Sequence, residues 1–188
     1  ISAIDIALWD IAGKYKSMPV YQLLGGKVRN KVRVYAHVFA KTDDEMVKGI
    51  EKRKAQGFTA IGHLSPFLDE PENIPYEKSH VEMLMESYEG VKLMRETAGD
   101  KIDLCIEMHR RMNTGEALQL IDKLEEFNPL FIEDPIAPGS HDAMACLAAH
   151  SKLPIATGER FHTYYEFLQA LQTHSCTYIR PSITTCGG

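Results

Sequence analysis

The sequence predicts an α/β fold built on a parallel sheet, and two observations carry that prediction. After residue 30, short apolar runs alternate with amphipathic helical patterns, ending on a sixth apolar run. Those runs are nearly continuous rather than alternating, as expected of strands covered on both faces. An open doubly wound sheet and a (β/α) barrel both satisfy this pattern. No GxGxxG follows the first run, which weakens the dinucleotide-binding form of the open sheet. Similar units without a switch point favour the barrel, incomplete here with about six strands.

The elements follow in order. Residues 1–16 have helical spacing, with Ile4, Leu8, Ile11, Ala12 and Tyr15 on one face. Pro19 ends that helix, and a short second one over 20–24 closes at Gly25 and Gly26. Strands are predicted near 32–39, 58–64, 103–107, 130–133, 154–158 and 177–181. Thr42 and Asp43 cap a helix that ends at Gly57. Residues 65–76 are a proline-rich loop, and helices follow over 77–99, 114–127, 140–151 and 163–175.

Composition narrows the function. The 188 residues are 44% hydrophobic and 25% charged, as in an ordinary globular protein, with room for a large core. The net charge of −5 and the lack of a basic run favour neither nucleic acid nor an anionic membrane. No apolar stretch has the length to span a bilayer, and no signal peptide is visible. Cys105, Cys146, Cys176 and Cys186 form no CxxC pair, so free thiols in a reducing cytoplasm are expected. The chain begins inside a helix without Met and stops after a strand. The expectation is a fragment of a longer protein, aggregation-prone and inactive when isolated as residues 1–188.

Acids mark the chemistry. The third, fourth and fifth strands each end in one: Glu107, Glu133 and Glu159, spaced by one βα unit. In a barrel the C-terminal strand ends converge on one mouth, where active sites sit. Three carboxylates there would repel unless a cation neutralised them. All-oxygen ligands without Cys suit Mg²⁺, with Mn²⁺ as a near substitute. The opposing possibility is that each Glu pairs with a nearby Arg or Lys. Asp134, next to Glu133, is expected to point the other way off its strand.

These residues lie in segments that resemble a known family. SAIDIALWDIAGK, PVYQLLGGKVR, EMHRRM, FIEDPI, ATGERF and RPSITTCGG together resemble the mandelate racemase/muconate lactonising branch of the enolase superfamily. Within it the chain looks closest to acid-sugar dehydratases of the galactonate or gluconate type. The resemblance implies that residues 1–30 are the last helices of an N-terminal capping domain and that 31–188 are part of a barrel. It implies a lyase holding Mg²⁺ on Glu107, Glu133 and Glu159. It implies that the proton α to a carboxylate is removed, that an enediolate forms, and that water is lost to give a 2-keto-3-deoxy acid. His109, two residues past Glu107, matches the general acid that protonates the leaving hydroxyl, a role imidazole suits because it titrates near working pH.

Other residues of the mouth are candidates for holding the substrate: Arg110, Arg160, His162, His63 and His37. Arginine can grip a carboxylate bidentately, although a structural ion pair is the competing role for each. The second strand ends in Gly62 and His63 where many relatives carry lysine, which disfavours the alternative of a racemase, epimerase or cycloisomerase. Ser182 stands where an Asp often pairs with a later His, which keeps a non-catalytic metal-binding barrel as an alternative. The resemblance also implies a small-molecule partner and a homo-oligomer.

Overall fold

The computed structural model describes residues 1–68 and 78–188. Part of the predicted 65–76 loop therefore lies outside the described residues. Fourteen-residue α1 (Ser2–Tyr15) and short α2 (Val20–Leu23) come first. Six strands follow: β1 (Ala36–His37), β2 (Ala60–Leu64), β3 (Asp103–Glu107), β4 (Phe131–Glu133), β5 (Ile155–Thr157) and β6 (Tyr178–Ile179). Between them run α3 (Asp43–Ala55), α4 (His80–Ala98), α5 (Thr114–Leu124), α6 (His141–His150) and α7 (Tyr164–Gln172).

The strands lie side by side in sequence order, β1-β2-β3-β4-β5-β6, and every pair is parallel. An open doubly wound sheet reverses its strand order at a switch point. This sheet never reverses, which is the winding of a barrel, present here as six strands.

Strand periodicity sorts the residues onto two faces. Leu104, Ile106, Ile132 and Ile155 point outward into a large core with the helices, where they meet Met94, Leu120, Ile121 and Leu147. Cys105, Phe131 and Ala156 form a separate, smaller cluster with Tyr35 and Leu130 on the other face. That inner face leads, two residues on, to Glu107 and Glu133.

Local chemistry explains the helix starts. The Thr42 hydroxyl accepts the Glu45 amide. Ser79–Glu82, Asn113–Glu116 and Thr163–Glu166 form complete capping boxes, each satisfying two orphan donors. Arg95 on α4 ties the layers together. Its guanidinium donates to the carbonyls of Phe127, Gly99, Ile102 and Asn128, so it anchors the turns that feed β3 and β4.

Two expectations change. The first strand was expected near 32–39, but regular pairing covers only Ala36–His37. Val32 and Val34 are exposed, having no second strand to cover them. The apolar stripe of α1 is also bare: Ile4, Leu8, Ile11 and Tyr15 are all more than half exposed. Among the described elements α1 packs chiefly on α2, not on the sheet. No helix among the described residues is long and apolar enough to cross a membrane.

Replacing Arg95 with Met leaves four carbonyls to find other donors. Urea denaturation of the whole protein is expected to show a loss on the order of 3 kcal/mol. An unchanged midpoint would mean that water satisfies those carbonyls equally well.

Candidate functional site

The site lies at the C-terminal ends of the strands. Glu107 and Glu133 are direct partners across β3 and β4, so their side chains leave the sheet level and on the same face. Both are buried. Glu159 does not share that level, because Glu133 pairs with Ala156, and Glu159 stands three residues further along. Between them Gly158 adopts φ +129°, and a Cβ there would come within 3.1 Å of the Arg180 amide nitrogen. A side chain would be strained there, and the glycine lets the chain turn tightly against β6.

Asp134 behaves unlike the strand residue it was expected to be. Its φ is +42°, so the alternation of the strand breaks at this point. The carboxylate is buried, accepts the Thr157 hydroxyl at 2.6 Å, and pairs with Arg110 at 2.9 Å. Arg110 also pairs with Glu159 at 2.7 Å, so one guanidinium joins two acids from different strands. Its own backbone N–H donates to the Asp134 carbonyl. Arg180, just past β6, pairs with Glu133.

Among the described residues no three His, Cys, Asp or Glu side chains are gathered as a metal ion would gather them. The two arginines account for this, since each holds its acids in ion-pair geometry. The remaining acid is different. Glu107 Oε1 accepts only the His109 amide, at 2.9 Å, and among the described residues no cation pairs with it. Burial, then the charge on Asp134, pushes its carboxyl up to about 7. A donor set of carboxylate oxygens with one acid short of positive charge fits a hard divalent cation.

Imidazoles line the adjoining side. His37 stacks on His63 with ring centroids 5.5 Å apart, and His63 meets His109 edge-on at 5.8 Å. Phe39 tilts against His63 at 4.6 Å. Burial, followed by the charge of Arg180, lowers the pKa of His37. Burial, then the neighbouring His37 and His109, lowers that of His63. His63, His109 and Arg110 all have positive φ, between +55° and +66°, a conformation that costs a non-glycine residue about 1 kcal/mol or more. At His63 it lies inside β2, where the pairing with β3 slips register between Ile61 and Leu64, and at His109 and Arg110 it follows β3.

Of the residues singled out from sequence, the structure brings Glu107, Glu133, Glu159, Arg110, His37, His63 and His109 into linked contacts. Arg160 and His162 are exposed and stand apart. Arg160 makes no hydrogen bond or ion pair among the described residues, and His162 turns its Nδ1 toward the Thr185 carbonyl at 3.4 Å. Ser182 bonds Thr184. Sequence reasoning missed Arg180, Thr157 and the inward turn of Asp134. The signal for Arg180 was its place two residues beyond Tyr178 on the inner face.

Comparison with known proteins places this geometry. The family described as enolase C-terminal domain-like matches residues 45–188, and the mandelate racemase/muconate lactonizing enzyme N-terminal domain matches residues 1–25. A D-galactonate dehydratase family member from Enterococcus gallinarum is 34% identical over 197 residues, covering all of this chain and 49% of that protein. A D-galactonate dehydratase from Ralstonia pickettii is 34% identical over 188 residues, with 100% and 48% covered. The chain thus spans about half the length of the curated relatives it matches. Among solved structures, a mandelate racemase/muconate lactonizing enzyme-like protein from Roseovarius sp. TM1035 superposes with TM-score 0.88 at 29% identity, over 100% of this chain and 49% of that one. An enolase from Agrobacterium radiobacter, with sodium and L-malate bound, gives TM-score 0.84 at 32% identity over 96% and 45%.

Glu107 supplies a test by pH. Its folded pKa is raised above the ordinary 4.5, so ionisation works against folding. That penalty is absent below about pH 4.5, grows as pH rises towards 7, and is then constant at up to about 3 kcal/mol. With chelator present, Glu107→Gln is expected to raise stability at pH 8 and leave it unchanged at pH 4. Equal effects at both pH values in chemical denaturation would contradict the assignment.

Proposed function

The chain belongs to the mandelate racemase/muconate lactonizing enzyme branch of the enolase superfamily, and on that premise we propose that the whole protein is a Mg²⁺-dependent dehydratase of a sugar acid. The observation that carries the reading is the set of strand-end acids beside an exposed histidine. Glu107, Glu133 and Glu159 would hold the cation, and His109 follows Glu107 by two residues. Arg110 and Arg180 are then the cations that balance Glu159 and Glu133 when no metal does. We place residues 1–30 with the N-terminal domain and 31–188 with the barrel.

The chemistry is proton removal followed by loss of water. A base takes the proton α to the substrate carboxylate, and the electron pair spreads onto that carboxylate. A bound magnesium ion supplies the positive charge that makes this dianionic form accessible. The pair then returns to form a C=C bond as the β C–O bond breaks. His109 donates a proton to the departing hydroxyl, which leaves as water, and the enol tautomerises to the 2-keto-3-deoxy acid. His109 fits this role because its backbone amide is fixed on Glu107, which ties its position to the acid cluster.

The imidazoles of His37 and His63 suit a polyhydroxylated substrate. Their lowered pKa values keep them neutral, each with one donor and one acceptor nitrogen for hydroxyl groups. Arg160 and His162 are proposed to reach the distal part of the substrate from the exposed loop after β5. The galactonate dehydratases among the relatives support a sugar acid as the substrate class.

The test is a screen of the whole protein against acid sugars with Mg²⁺, reading out 2-keto product. Activity is expected with at least one acid and is expected to vanish with chelator. His109→Asn is expected to lower kcat by about 10²–10⁴ while magnesium affinity, read by calorimetry, stays nearly constant. Wild-type turnover in that variant would assign the proton donor to another group, His63 first.

A further inference from the structure

Among the described residues one side-chain polar atom is buried with no hydrogen bond of good geometry: the hydroxyl of Tyr35, whose polar neighbour is the Arg180 guanidinium. An unsatisfied buried hydroxyl costs about 1–3 kcal/mol, so it calls for a reason. Looseness is not the reason, because the ring is held from several sides. His37 stacks on it at 5.2 Å with an interplanar angle of 24°. Phe131 meets it edge-on at 6.2 Å, and the Arg180 guanidinium lies over its face at 5.4 Å. Beneath it Gly62 leaves the slot the ring fills, since a Cβ at Gly62 would run into ring atoms Cδ2 and Cε2.

The surroundings say what this hydroxyl can bind. Tyr35 packs on the inner cluster with Cys105 and Phe131, directly below the level of Glu107 and Glu133. Burial raises its pKa and outweighs the lowering by the adjacent Arg180 guanidinium, so the phenol stays protonated and is a donor. Arg180 is the nearest cation, and it reaches from the Tyr35 ring to Glu133. A fixed O–H donor beside a guanidinium is complementary to an anionic oxygen acceptor.

We propose that Tyr35 is a substrate-binding residue whose hydroxyl, held in place by Gly62, His37, Phe131 and Arg180, donates a hydrogen bond to the carboxylate end of the acid substrate. This deepens the dehydratase reading and rests on it for the identity of the ligand. It assigns Gly62 a purpose too: any larger residue would push the ring out of the slot and misdirect the donor.

Tyr35→Phe removes the oxygen and nothing else. The test uses the whole protein carrying His109→Asn, which prevents turnover during titration, with and without Tyr35→Phe. D-gluconate, D-galactonate and D-mannonate are each titrated calorimetrically in the presence of Mg²⁺, and Mg²⁺ is titrated alone. The acid that binds is expected to bind about tenfold more weakly after Tyr35→Phe, with magnesium affinity unchanged. Without ligand, the thermal midpoint is expected to be unchanged or raised, because no protein hydrogen bond is lost. Full retention of acid affinity overturns the proposal while leaving the dehydratase reading in place. A midpoint several degrees lower also overturns it, since the hydroxyl would then have a structural partner. Failure of every acid to bind the parent protein overturns the sugar-acid reading and the ligand proposed for Tyr35 together.

Discussion

Everything at the mouth of this sheet answers one electrostatic demand: several carboxylates are buried together and must be neutralised. Glu107, Glu133 and Asp134 are each no more than 2% exposed. An uncompensated buried charge costs several kcal/mol, comparable with the net stability of a domain. Arg110 and Arg180 meet most of that demand by spanning strands, Arg110 from the end of β3 to Asp134 and Glu159, Arg180 from β6 back to Glu133. Glu107 is left over, and its raised pKa records the shortfall. At this mouth the fold gathers more negative charge than its own cations balance.

The backbone carries part of the cost. Left-handed residues occur at His63, in the irregular end of β2, and at His109, Arg110 and Asp134, just past β3 and β4. In each case the ordinary alternation would have aimed the side chain elsewhere. The left-handed turn at Asp134 is secured by the Thr157 hydroxyl and by the hydrogen bond from its own N–H to the Ala156 carbonyl. Strain kept at a site by such bonds fixes side-chain direction more firmly than a relaxed loop could.

The two sides of the mouth differ in kind. One side is charged, built of acids and the arginines that bridge them. The other is a row of Tyr35, His37, His63 and His109 in ring contact. Rings in contact restrict one another's rotamers, so the row is ordered by its own packing. Ion pairs therefore order one side, and ring packing orders the other.

Most of the fold could be read from the sequence, because its signals are local. Apolar runs at one-unit spacing, capping residues such as Thr42, and glycines such as Gly57 determined element type and order without reference to distant contacts. Glu107 and Glu133 were legible as neighbours because parallel pairing brings equivalent strand ends level. What sequence could not settle was anything decided by partners far along the chain. The exposure of Ile4 and Leu8 depends on whether another surface covers α1, not on the helical period. The position of Glu159, three residues above Glu133, follows from the register of β4 with β5. The turning of Asp134 into the cluster and the choice of Arg110 and Arg180 as its cations arise only when strands separated by 23 to 49 residues meet. Side-chain charge compensation is a property of that meeting, and periodicity in the sequence carries no record of it.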